Sequence, residues 1–124
     1  MNRELKISRI INAPVDLVWK VFSEPGHIAL WWGPTGFSNT IHKMEFKKGG
    51  VWEFIMHGPD GRDYKNRNVF TEIVKPELII YDHVSEPVHT TTITLKPEGV
   101  KTLLDWNMLF ESEDQLACRP KVAG

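Results

Sequence analysis

The chain has 124 residues, 15 basic against 16 acidic side chains, a net charge of -1 and 41% apolar residues. That is the size and balance of one globular domain, without the basic excess of a non-specific nucleic-acid binder or the run of about 20 apolar residues that crosses a membrane. The lone cysteine, Cys118, excludes an internal disulfide framework and a cysteine-based zinc site. Together with an N-terminus lacking a signal-peptide core, it points to a cytoplasmic protein.

Residues 4–11 alternate, with Leu5, Ile7 and Ile11 on one face and Lys6 and Ser8 on the other, so the chain opens on a strand. Ala13-Pro14 begins a helix with Pro14 at its first position and Asp16 in its first turn. Leu17, Val18, Val21 and Phe22 form its apolar stripe. Pro25-Gly26 should end it, and residues 27–32 read as a second short helix halted by Gly33-Pro34. From Phe37 the period becomes two, predicting strands over 40–46, 51–57, 64–74, 78–83, 90–96 and 102–111. Lys48-Gly49-Gly50, Pro59-Asp60-Gly61, Lys75-Pro76-Glu77 and Pro97-Glu98-Gly99 supply turns short enough for an antiparallel meander.

Alternation also sorts the faces. Trp52, Phe54 and Met56 should point inward, as should Asn66, Asn68 and Phe70. Ile79, Tyr81 and His83 follow, then Thr91, Ile93 and Leu95, then Leu104, Trp106, Met108 and Phe110. This inner face is rich in aromatics and methionine and dotted with amides and histidine, whereas a dry core holds more Val, Leu and Ile. Five Trp and six Phe against two Tyr make a heavy apolar aromatic load for one small domain.

Reactive chemistry is thinner. His83 and His89 flank one strand joint, but two imidazoles without a third ligand make a poor metal site, and none is expected. His42, His83, Asn66, Asn68 and Tyr81 can line a cavity; their expected role is to orient a bound molecule or satisfy the backbone rather than to move protons. No Ser–His–Asp or Cys–His arrangement is legible from spacing. Asp60-Gly61-Arg62-Asp63 lacks the ligand spacing of a calcium loop and reads as a solvated turn.

The run Ile11-Asn12-Ala13-Pro14, then Val18-Trp19, Phe22, Pro25, Ile28 and Trp31-Trp32-Gly33-Pro34, resembles the opening of one branch of the START/Bet v 1 superfamily, named for the activator of the Hsp90 ATPase. Gly49-Gly50-Val51-Trp52-Glu53-Phe54-Ile55-Met56-His57-Gly58-Pro59-Asp60-Gly61 resembles it too, and the similarity runs from about Leu5 to Ser112. The resemblance implies an α+β helix-grip fold: a curved antiparallel sheet around one long C-terminal helix, with an apolar cavity between them. The expected lining is Trp31, Trp32, Met44, Trp52, Phe54, Met56, Asn66, Asn68, Phe70, Tyr81, His83, Trp106 and Met108.

The C-terminus departs from that pattern. Ser112-Glu113-Asp114-Gln115 looks like a capping box, but Pro120 follows soon after and the chain reads as residues 1–112 of domain plus a short atypical tail, 113–124, with the gripped helix largely missing. A bared concave face of this kind should be covered by self-association, as a two-fold dimer. Three functions stay open. The first is a module binding an apolar or amphipathic small molecule without a cofactor. The second is a protein-interaction module with possible contact to a chaperone, by resemblance to the Hsp90 co-chaperone. The third is a cyclase- or hydrolase-like enzyme.

Overall fold

Strands joined by two- to six-residue turns have little choice but to lie beside their chain neighbours, and this chain does so with one exception. The computed structural model describes residues 4–32, 35–85 and 88–110. Its order is β1 (Glu4–Ile11), α1 (Val15–Ser23), α2 (Pro25–Trp31), β2 (Ser38–Met44), β3 (Val51–His57), β4 (Asp63–Val74), β5 (Leu78–His83), β6 (His89–Glu98) and β7 (Lys101–Phe110). β2 to β7 form an antiparallel meander, and β1 closes onto β7, giving one seven-stranded sheet ordered β1-β7-β6-β5-β4-β3-β2. This is the expected curved sheet with two short helices. The capping box and tail at 111–124 lie outside the described residues.

Two helix boundaries differ from the sequence reading. Pro14 is the cap of α1 rather than its first residue; its carbonyl accepts from the N–H groups of Leu17 and Val18 at 3.0 and 3.1 Å. Pro25 opens α2 instead of closing α1. A proline cannot continue the first helix, but its missing N–H costs nothing in the first turn of the next. Glu24 therefore serves both helices, donating to the Lys20 carbonyl and accepting from His27 and Ile28.

Curvature comes from two β-bulges, between Ile41 and Lys43 and between Phe70 and Glu72. An inserted residue bends its strand and shifts the period by one. Ile41 and Met44 therefore both pack inward although three positions apart, and so do Phe70 and Ile73. His42 falls in the first bulge and is exposed, which corrects its expected place in the cavity.

The inward sets predicted for β3 to β6 are otherwise found inside. Trp52, Phe54, Phe70, Ile79, Tyr81, Ile93 and Leu95 each keep 3% or less of their surface. The expected bare apolar face is thus not seen. Part of the cover comes from the helices, whose Val18, Trp19, Phe22 and Ile28 belong to the same core. Thr102, at the start of β7 and fully buried, donates to the Ala13 carbonyl at 2.8 Å and so locks the helix entry to the sheet.

The β2–β3 joint shows why two adjacent glycines are needed there. Gly49 has φ of 81°, and its N–H bonds the Phe70 carbonyl. Gly50 has no positive φ but no space: an added Cβ would stand 1.9 Å from the Glu45 carbonyl oxygen. Gly50→Ala should therefore cost about 3 kcal/mol, because backbone must move. Gly49→Ala meets no atom within 4 Å and should cost only about 1 kcal/mol, for the left-handed backbone. Urea midpoints at unchanged slope measure both.

Candidate functional site

The concave face is an aromatic floor with one residue set down on it. Trp52 and Phe54 stack with centroids 4.7 Å apart, and Trp52 lies parallel to Phe70 at 6.0 Å. Trp32, the cap residue ending α2, comes down on this floor: its ring is 4.7 Å from Trp52, 5.3 Å from Trp106, 6.2 Å from Tyr81 and 6.5 Å from Phe54. Its N–H closes the last helical turn on Ile28, and its carbonyl accepts from Asn39 Nδ2 at 2.8 Å. Asn39 also reaches the Ala29 carbonyl at 3.2 Å, so β2 fixes the end of α2 and the position of Trp32.

Below Trp32 lies a void lined by Phe22, Ile28, Trp32, Met44, Phe46, Trp52, Phe70, Ile79, Tyr81 and Ile93, with about 10 Å³ open to a water-sized sphere. That is room for about one water, and its walls are almost wholly apolar. In this state the space is filled by the protein's own rings.

Of the residues expected to line a cavity, Trp32, Met44, Trp52, Phe70 and Tyr81 meet at this void. Phe54 and Met56 continue the same face of β3. Trp106 and Met108, half-buried, lie on the face of β7 that meets Ile93 and Thr91 of β6. Trp31 is not brought into this set: it is 40% exposed, its indole N–H bonds the Val21 carbonyl at 3.0 Å, and its ring braces Phe22 at 4.8 Å. Adjacent residues at a helix end point in different directions, and the sequence pair Trp31-Trp32 does not show which one turns in.

A polar lane crosses the floor, because Trp52, Asn68, His83, His89 and Phe110 are successive cross-strand partners from β3 to β7. His83 and His89 stack with centroids 4.6 Å apart, so the expected approach of these two rings is found. Among the described residues no group of three or more His, Cys, Asp or Glu is placed to hold a metal. Asn66 donates to the Tyr64 carbonyl at 2.9 Å, so its Oδ1 faces His83 Nε2, also at 2.9 Å. That pairing puts a proton on Nε2.

Sequence spacing missed one constellation. Thr40 Oγ1 is 2.7 Å from His57 Nε2, and His57 Nδ1 is 2.7 Å from Asp63 Oδ1. Hydroxyl, imidazole and carboxylate are aligned, but on the opposite, solvent face, with the Asp63 side chain 59% exposed. Water competes for each of these bonds there, and they act as a lateral tie across β2, β3 and β4. The signal lay in strand register, which the sequence does not display.

A curved antiparallel sheet with two short helices after its first strand and an aromatic inner face defines a START/Bet v 1-like helix-grip protein. The family model described as Activator of Hsp90 ATPase homolog 1-like protein matches residues 12–120, and the chain belongs to this family. A solved protein from Arthrobacter aurescens is 30% identical, with a TM-score of 0.86, over 93% of this chain and 73% of that one. Protein CV1439 from Chromobacterium violaceum is 24% identical, with a TM-score of 0.82, over 89% and 81%. An AHSA1-like protein from Aeromonas hydrophila has a TM-score of 0.75 at 20% identity, over 91% and 83%. Among curated proteins nothing matches. No helix among the described residues is long and apolar enough to cross a membrane.

Burial raises the Tyr81 phenol well above its ordinary ionisation range, with the Thr91 hydroxyl pulling weakly the other way. The unfolded chain releases this proton near pH 10 and the folded one only at higher pH. Stability supplied by neutral Tyr81 is thus complete below that pH and lost as pH rises through and beyond it. Tyr81→Phe should flatten the alkaline fall in stability above about pH 10, measured by urea unfolding at stepped pH.

Proposed function

We propose that the protein is a small-molecule-binding module of the START-like kind, taking an apolar or amphipathic ligand on the concave face. Family and fold support a ligand-binding module in general. The observation that carries the finer reading is Trp32, a half-buried ring packed on an aromatic floor from the cap position that ends α2. A ring in that position stands where a ligand would stand. Its contacts with Trp52, Tyr81 and Trp106 are those an aromatic or aliphatic guest would make. Binding exchanges Trp32 for ligand on the same surface, and Met44, Met56 and Met108 adapt the lining to the guest's shape.

Trp32→Ala should therefore open the site and increase saturable binding of a hydrophobic fluorescent dye about tenfold. Trp31→Ala, which removes an exposed brace, should not. Equal effects of the two substitutions would sink the assignment of Trp32 as the occupant of the site.

Exposed apolar groups on α2 favour a second reading, a protein-contact face. Leu30 is 84% and Trp31 40% exposed, side by side. A second copy of the chain is the partner proposed first, ahead of a chaperone. Light scattering should give twice the monomer mass, and Leu30→Glu should return it to the monomer value.

A further inference from the structure

Two asparagines stand on the same face of β4, two positions apart, and differ in one respect. Asn66 uses both ends of its amide, on the Tyr64 carbonyl and on His83. Asn68 is more deeply buried, at 1% exposure, and neither its Nδ2 nor its Oδ1 has a hydrogen-bond partner. Directly opposite on β3 is Trp52, 2% exposed, whose indole Nε1 also has none. Two donors and one acceptor are therefore gathered on adjacent strands, out of reach of water. A folded protein rarely leaves such groups unpaired, because each costs the full desolvation of its hydrogen bond.

The neighbours of this cluster lead into the site. Trp52, together with Phe70, the next inward residue on β4, and Tyr81, the next inward residue on β5, lines the void under Trp32. Apolar walls thus adjoin one polar corner. The buried polar and charged residues are Asn68, His83, His89, Thr91 and Thr102, with no Lys or Arg among those described. A permanently anionic head group would find no fixed counter-charge there. A neutral group offering an acceptor beside a donor would satisfy all three atoms: its carbonyl oxygen takes the N–H of Trp52 and of Asn68, and its N–H or O–H gives to Asn68 Oδ1.

We infer that Asn68 and Trp52 form the polar anchor of the ligand site and select amphipathic molecules whose head is a neutral paired donor and acceptor, such as a primary amide, a lactam or an undissociated acid. This rests on the ligand-binding reading above. It adds the rule by which one apolar guest is preferred over another: a site built to hydrogen-bond a group rejects the analogue lacking it, because its own buried atoms are then left unpaired.

The test uses the full chain and two probes of nearly equal shape, 2-naphthamide and 2-acetylnaphthalene, the second lacking the N–H donor. A plain apolar slot ranks them by partition from water and prefers the ketone. The anchor predicts the reverse in the wild-type protein, with the amide at least about threefold tighter, by tryptophan quenching and calorimetry. Asn68→Leu should restore preference for the ketone, lowering amide affinity about tenfold. The same variant, without any probe, should raise Tm by a few degrees, because an apolar side chain with the same number and branching of heavy atoms replaces unpaired polar atoms. A wild-type preference for the ketone that Asn68→Leu leaves unchanged would overturn the anchor while leaving the ligand site standing. A fall in Tm would overturn it as well, by showing that Asn68 is already satisfied within the protein, for instance by ordered water. If neither probe binds the wild-type protein or Trp32→Ala, the ligand-binding reading itself fails and the anchor with it.

Discussion

Everything on the concave side is organised by the contact between Trp32 and the floor beneath it. A helix of seven residues is too short to hold itself in water, so α2 exists because its end is pinned. Asn39 takes two of its carbonyls, and Trp32 buries its ring against Trp52 and Trp106. The floor in turn is dry in its centre because that ring covers it. One aromatic contact thus keeps a helix formed, a groove closed and a set of polar atoms away from water.

The two faces of the sheet have opposite economies. On the outer face, polar groups meet each other in full view of solvent: Thr40, His57 and Asp63 are the clearest case. Thr90 and Asp82, half-buried and bonded at 2.7 Å, are tied in the same way. Such ties are individually weak, and their loss leaves each partner to water. On the inner face the few polar groups have no such refuge. His83 is held by Asn66 and Ser85, and Tyr81 lies beside Thr91. Asn68 stands out against this background because both ends of its amide lack a partner, whereas Asn66, on the same face of the same strand, uses both of its own. The cost of its burial is a constraint that packing alone would have removed by placing a leucine there.

Much of this was legible before the structure. Strict alternation of apolar and polar residues placed Trp52, Phe54, Met56, Tyr81, His83, Ile93 and Leu95 on the inner face correctly, because a one-residue slip would have turned every one of them to water. The ends of β3 and β5 follow directly from their flanking turns. Three things were hidden for physical reasons. Bulges break the period without any residue type that announces them, so His42 reads as inward and is not. Proline stops one helix and starts another equally well, so the division at Pro25 is ambiguous from either side. Which of Trp31 and Trp32 enters the groove depends on where α2 ends, and that is set by Asn39, across a joint to another element. The hydrogen-bond state of Asn66 and Asn68 is likewise a matter of neighbours in space, since the two are the same residue in the same strand.

The pairing of β1 with β7 joins the beginning of the chain to its other end: Glu4 meets Leu109 and Ile11 meets Thr102. The Thr102 hydroxyl and the Ala13 carbonyl it grips are 89 positions apart. At a synthesis rate of about 5–20 residues per second, β1 is made roughly 5–20 s before its partner. The meander from β2 to β6 is built from local turns, while β1 stays an unpaired strand carrying Leu5, Ile7 and Ile11 until β7 follows. Closure of the sheet is therefore a late event in the birth of the molecule, and its first strand is the part most exposed to pairing with the wrong neighbour in a crowded cell.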